Sequence, residues 1–199
     1  MVAEDGEFVG DERVIRDVQA HGSRVFHAAP ASYAGVVPLP ASAADLAAMT
    51  RALDLASAAL EAGEVPVGAL VLDPDGGVIG EGRNLREADH DPTAHAEVVA
   101  MRRAADAIGS WNLTGCTLVV TLEPCLMCAG ALLQAHLSRV VFGAWDDKAG
   151  AVGSMYDVVR DRRLPVRAEV VAGVCADDSA ALLRRFFDSR RDRPASAHR

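Results

Sequence analysis

A chain of 199 residues, half of them hydrophobic and 24% charged, has the balance of a folded domain and not of a disordered one. A net charge of −8 argues against a general nucleic-acid binder. The acidic start MVAEDGEF is wrong for a basic leader, and no uninterrupted apolar run is long enough to cross a bilayer, so we expect a cytoplasmic protein with no membrane partner.

Residues 1–40 keep no hydrophobic period and are broken by residues such as Gly22, Pro30, Gly35 and Pro38. We read them as a mobile N-terminal extension, with a short helical piece near Val14–Ala20. Order begins at Ser42, which can cap a helix whose apolar residues Leu46, Met49, Leu53, Ala56 and Leu60 recur at 3.6-type spacing. Gly63 ends that helix. Val67–Leu72 is almost fully apolar, the pattern of a strand buried on both faces. Asp73–Gly77 is a turn, and Val78–Arg83 returns as an antiparallel partner. A polar loop, Asn84 to Pro92, leads into a helix expected from Thr93 to about Ala107. Thr117–Thr121 reads as a strand, Leu126–His136 as a helix and Arg139–Gly143 as a strand. Val166–Ala172 reads as the last strand and Asp178–Ser189 as the last helix. This alternation predicts an α/β fold: a three-layer α/β/α sandwich with a mixed five-stranded sheet. We divide the chain into the extension 1–40, a domain 41–190 and a basic tail 191–199. Residues 184–199 hold six arginines against two aspartates, a local +4 that can neutralise phosphates or simply be a solvated helix end.

Two segments carry chemistry: His95-Ala-Glu97 and Glu123-Pro-Cys-Leu-Met-Cys128. Catalytic zinc takes three nitrogen or sulfur ligands and keeps a fourth position for water. His95, Cys125 and Cys128 supply that count, and each motif opens a helix, whose free N–H groups favour thiolates. Glu97 lies two residues from a ligand and is not needed as one, which suits a general acid and base. The combination His-x-Glu with Pro-Cys-x-x-Cys is a known signature of zinc base deaminases. Two other readings stay open on spacing alone. The Cys-x-x-Cys pair can be redox-active, or half of a structural zinc site in a non-catalytic nucleic-acid-binding module. Cys116 and Cys175 stand singly near strands and read as small buried hydrophobes. His90, before the motif, can serve a substrate, and His136 can cap a helix C-terminus.

The segments Asp91–Glu97, Thr121–Ala131 and Arg139–Ala144 resemble the bacterial tRNA-specific adenosine deaminase family. Glu64–Gly68 and Gly150–Ser154 fit the same pattern, and the match runs from about Asp45 to Phe187. The resemblance implies a cytidine-deaminase-like fold, a homodimer, one Zn2+ per subunit, and hydrolysis of adenosine to inosine at the wobble position of an arginine tRNA. The anticodon loop would be the partner, its bases already unpaired and cheap to extrude. It assigns the zinc to His95, Cys125 and Cys128, and the proton shuttle to Glu97. Asn84, Ala96 and Asp146 become substrate-binding positions: Asn84 against the target base, Asp146 against the nearby nucleotide backbone. The alternative within deaminases is a free-base or nucleoside enzyme acting on guanine, cytosine or cytidine. Two positions depart from the family. Pro165-Val166-Arg167 stands where members carry Asn-His-Arg, and Trp145, where some carry arginine, offers an indole able to stack on a base.

Overall fold

The structure is a computed structural model that describes residues 40–191. The helical piece expected at Val14–Ala20 and the end of the basic tail lie outside the described residues.

Helix α1 (Ala43–Glu61) starts at Ser42 with a reciprocal capping box. The Ser42 hydroxyl accepts from Asp45 N at 3.1 Å, and the Asp45 carboxylate accepts from Ser42 N at 2.8 Å. The buried stripe is Asp45, Met49, Ala52, Ala56 and Ala59, not the leucines the spacing suggested, and Leu46 is exposed. The cause is close packing on the first strand, β1 (Gly68–Leu72). A Cβ at Gly68 would sit 2.1 Å from the carbonyl oxygen of Ala52, so the helix lies flush on the strand and only small side chains fit between.

All five residues of β1 are buried, as its apolar run predicts. Strand β2 (Val78–Arg83) pairs antiparallel to it across a turn in which Asp73 Oδ1 accepts from Asp75 N and Gly77 N. Then follow α2 (Ala96–Ile108), β3 (Thr117–Leu122), α3 (Leu126–Gln134), β4 (Arg139–Ala144), β5 (Glu169–Val171) and α4 (Ala176–Arg191). The sheet order is β2-β1-β3-β4-β5, with β1 antiparallel to both neighbours and β3, β4 and β5 parallel.

Alternation along the strands divides the core. Leu70, Val119, Val141 and Val171 face α1, while Val71, Leu118, Val120, Val140 and Phe142 face α2 and α3. Helix α4 packs on β4 and against α1. The result is the expected three-layer α/β/α sandwich on a mixed five-stranded sheet. No helix among the described residues is long and apolar enough to cross a membrane.

Two element starts differ most from the sequence reading, each by three residues. Helix α2 begins at Ala96, later than Thr93, because Asp91 Oδ1 takes both the N–H and the hydroxyl of Thr93 and winds residues 91–93 into their own turn. Strand β5 keeps three residues, because Ala168 N bonds to Val159 O in the preceding loop and pairing with β4 starts only at Glu169.

Candidate metal centre and active site

The site is built at the start of two helices on the same face of the sheet. His95 is the N-cap of α2 and Cys125 the N-cap of α3. Cap positions normally hold a side chain that bonds its own helix. Neither of these does so. They turn toward each other instead: His95 Nδ1 lies 3.6 Å from Cys125 Sγ and 3.5 Å from Cys128 Sγ. All three donor atoms fall within 4.8 Å of one another.

These distances test the fit to zinc. Bonds of about 2.3 Å to sulfur and about 2.05 Å to nitrogen at tetrahedral angles give a nitrogen–sulfur edge of about 3.5 Å. The two observed edges match it, so the donor set, its chemistry and its spacing suit a zinc ion. Among the described residues the cluster has no fourth protein member, which fits a catalytic ion better than a structural one. A redox pair would leave the imidazole without a purpose.

Charge follows the same geometry. The Cys128 thiol, hydrogen-bonded to Cys125, pulls the Cys125 thiol down to about 4, with His95 assisting. Cys128 is pushed up by that same bond and by burial. His95 is raised chiefly by its bond to Cys125. Glu97, in the first turn of α2 and 4% exposed, is pushed up mainly by burial and interacts with the Cys128 thiol. Its carboxyl thus faces the metal centre without being a member of it.

The strand β2 brings the remaining candidates close. Gly82 packs on the start of α2, where a Cβ would lie 2.1 Å from Ala96 O. Ala96 is buried in the core, so only its main chain is available to a ligand, and its N–H is among those a helix leaves unpaired. Asn84 follows β2 and is 5% exposed. The next residue ties its loop to the ligand segment, Leu85 N donating to Ala94 O at 3.0 Å.

Asp146 is half-buried, and its Oδ1 accepts from Lys148 N and Ala149 N within its own loop. Trp145 is not available for stacking on a base: it is 2% exposed and packs edge-on against Phe142 at 4.8 Å. An indole of that size fills core volume once the chain turns it inward after β4. Pro165 and Arg167 are exposed, while Val166 packs against the core. His90 is exposed at φ 49°, and His136 takes φ 60° after α3, edge-on to Trp111.

Sequence reasoning gave no role to two buried acids, Glu64 and Glu123, each 2% exposed. Glu64 accepts from Asn84 Nδ2 at 2.9 Å, Glu87 N at 3.0 Å and Ala88 N at 2.8 Å. Glu123 accepts from Asp146 N, Val152 N and Ser154 N, each at 3.0 Å. The signal was an acid abutting an apolar strand, where burial requires several donors.

Comparisons with known proteins agree with this geometry. Residues 42–144 match the cytidine and deoxycytidylate deaminase zinc-binding region. The chain is 46% identical over 144 residues to the tRNA-specific adenosine deaminase of Haemophilus influenzae, covering 72% of this chain and 83% of that protein. It is 51% identical over 158 residues to a tRNA(Ile)-lysidine synthase of Deinococcus deserti, covering 79% of this chain but spanning only 29% of the synthase. Among solved structures it resembles one from work on A-to-I editing by tRNA:A34 deaminases at the wobble position of transfer RNA. The TM-score is 0.66 at 39% identity, with 69% of this chain and 99% of that one covered.

Proposed function

Because this chain belongs to the tRNA-specific adenosine deaminases, within the zinc-binding cytidine and deoxycytidylate deaminase family, we propose that it hydrolyses adenosine to inosine at the wobble position of a tRNA anticodon. The observation that carries this is the three-donor cluster of His95, Cys125 and Cys128 with one acidic side chain, Glu97, beside it.

His95, Cys125 and Cys128 would hold the zinc. When bound, it supplies Lewis acidity that brings a water to a pKa of ~7. Glu97 takes the proton from the water that adds to C6 of adenine. It delivers that proton to N1, then takes the second proton, from the hydroxyl now on C6, and passes it to the amino group as the C6–N6 bond breaks, so water and adenosine become inosine and ammonia. Burial suits Glu97 to this, since a carboxyl held above its ordinary range accepts a proton readily. Asn84 and the Ala96 N–H hold the base edge, and Asp146 positions the nucleotide beside it. The single-stranded anticodon loop suits a site that must take a base out of its stack. An arginine tRNA, the cytoplasm as its place of action, and the division into 1–40, 41–190 and 191–199 complete the reading.

We also propose a homodimer. An apolar groove lined by Val98, Met101, Ala105, Leu113 and Ala131 leaves Trp111 67% exposed beside it, and Leu126 on α3 is 57% exposed. Such a face is what a second copy would cover. A chain sedimenting as a monomer at micromolar concentration would exclude this.

The test of function is an anticodon stem-loop RNA carrying adenosine at the wobble position, incubated with the zinc-loaded protein and read for inosine by sequencing. Conversion at that base and no other is expected. Turnover of free guanine or cytidine with none on the RNA would overturn the proposal.

A further inference from the structure

We propose that Glu64 is a positioning residue that sets which way the Asn84 side-chain amide faces, and so fixes what this site offers to a base. The inference rests on the functional reading above in one respect, that Asn84 touches the base.

A carboxylate accepts hydrogen bonds and donates none. The Asn84 amide therefore turns its nitrogen toward Glu64 Oε2, at 2.9 Å. The flip is not free to change, because the carbonyl oxygen in that place would meet a carboxylate oxygen. Glu64 is itself immobilised: its other oxygen accepts from Glu87 N and Ala88 N, and it is 2% exposed. The main chain of Asn84 is fixed as well, Asn84 N donating to Val67 O at 3.1 Å. One bond further on, Leu85 N holds Ala94 O, directly before the ligand His95. Glu64 thus sits outside the donor cluster, and its side-chain bonds reach toward it through Asn84 and the loop 84–88.

An asparagine is a hydrogen-bonding group of two faces, and a reader of bases gains discrimination only if its face is fixed. With Glu64 in place, Asn84 presents its oxygen and one remaining N–H on a constant pattern. Glu64→Gln separates orientation from loop support. The new amide oxygen can still take the N–H groups of Glu87 and Ala88, while its NH2 faces Asn84 and favours the reversed flip. Glu64→Ala removes both functions.

Three measurements test this. The first is kcat and KM on the wobble-adenosine stem-loop for the wild type, Glu64→Gln, Asn84→Ala and the double variant. Glu64→Gln should lower kcat/KM by about tenfold or more, with zinc content near one per chain and an almost unchanged melting temperature. In the Asn84→Ala background the same change should have almost no effect, because the group it orients is gone. Losses that multiply in the double variant, or a Glu64→Gln protein with wild-type kcat/KM, would overturn the proposal.

The second is binding of the same RNA to Glu97→Gln forms, which should weaken by a similar factor on adding Glu64→Gln. An unchanged affinity in both this and the kinetic measurement would count against it.

The third needs no substrate. Asn84 and Asn112 are the two asparagines in the chain, so 15N-asparagine labelling gives two side-chain amides. The Asn84 pair should exchange hydrogen slowly in the wild type and quickly in Glu64→Ala, with Asn112 fast in both. Equal exchange rates for Asn84 in the two proteins overturn the structural half of the proposal. If the RNA is not a substrate at all, the tRNA assignment fails, and this third measurement alone decides whether Glu64 orients Asn84.

Discussion

Glu97 and Glu123 are buried to the same degree on the same side of the molecule, yet their surroundings are opposite. Glu123 is surrounded by donors, three main-chain N–H groups at 3.0 Å, and it knits the loop 146–154 to the strand end that precedes Cys125. Glu97 has fewer, its own main-chain N–H and the Cys128 thiol, and burial raises its carboxyl. A carboxylate satisfied on all sides cannot trade protons without unravelling what it holds. One left poorly satisfied costs stability and gains reactivity. The difference separates an acid that holds a loop in place from the one we propose as the proton carrier.

Replacing each acid should break different properties. Glu97→Gln should reduce turnover of the stem-loop by at least ~10³-fold, the scale of lost general acid and base catalysis. Zinc content and the melting temperature should hold, or rise slightly, since a poorly solvated carboxylate has been removed. Near-normal turnover in that variant would mean that Glu97 is not the proton carrier. Glu123→Ala should do the reverse. Three buried N–H groups lose their acceptor, at about 1 kcal/mol or more each, so chemical denaturation should register a loss of about 3–5 kcal/mol. Activity should fall as the loop beside Cys125 loosens, and a variant as stable as the wild type would erase the contrast.

The same contrast explains what the sequence made legible. The donor cluster of His95, Cys125 and Cys128 was readable because two short motifs, each opening a helix, contain all three residues, although spacing alone left redox and structural readings open. The strand run 67–72 was readable because five consecutive buried positions leave an unbroken apolar pattern. The buried face of α1 was not, because its packing is set by Gly68 in a strand sixteen residues from the helix centre, where only alanines clear the backbone. The indole of Trp145 was expected to be free for stacking for a related reason: its burial against Phe142 depends on how the chain turns inward just after β4, beyond any local pattern. Glu64 and Glu123 were hard to read as supports because, apart from the Asn84 amide on Glu64, their partners are main-chain N–H groups, which every sequence contains and none advertises.

A third buried acid, on the opposite face of the sheet, sharpens the comparison with the smallest expected effect. Asp45 has both kinds of partner: the Ser42 cap and the guanidinium of Arg139, whose Nη1 and Nη2 lie 2.6 and 2.9 Å from its two oxygens. Arg139 also reaches Glu169 at 2.7 Å, so α1, β4 and β5 are clipped together. The Arg139 bond, with smaller help from the cap, holds the Asp45 carboxyl at about 2, against an ordinary 3.8. A folded-state value below the unfolded one means stability that is fully present above pH 4 or so and lost as acid carries the group through about 2. The difference is worth about 2 kcal/mol at neutral pH and should be roughly halved near pH 3. In Asp45→Asn the amide oxygen can still accept from Ser42 N, so the cap survives and the charge pairing goes. Urea denaturation of this variant and the wild type at pH 7, 5, 4 and 3 should give a gap that is constant at the first two and shrinks toward the last. A gap unchanged at pH 3 would mean that packing, not the ion pair, keeps Asp45 inside, and the distinction between acids with many donors and acids with few would then rest on Glu97 and Glu123 alone.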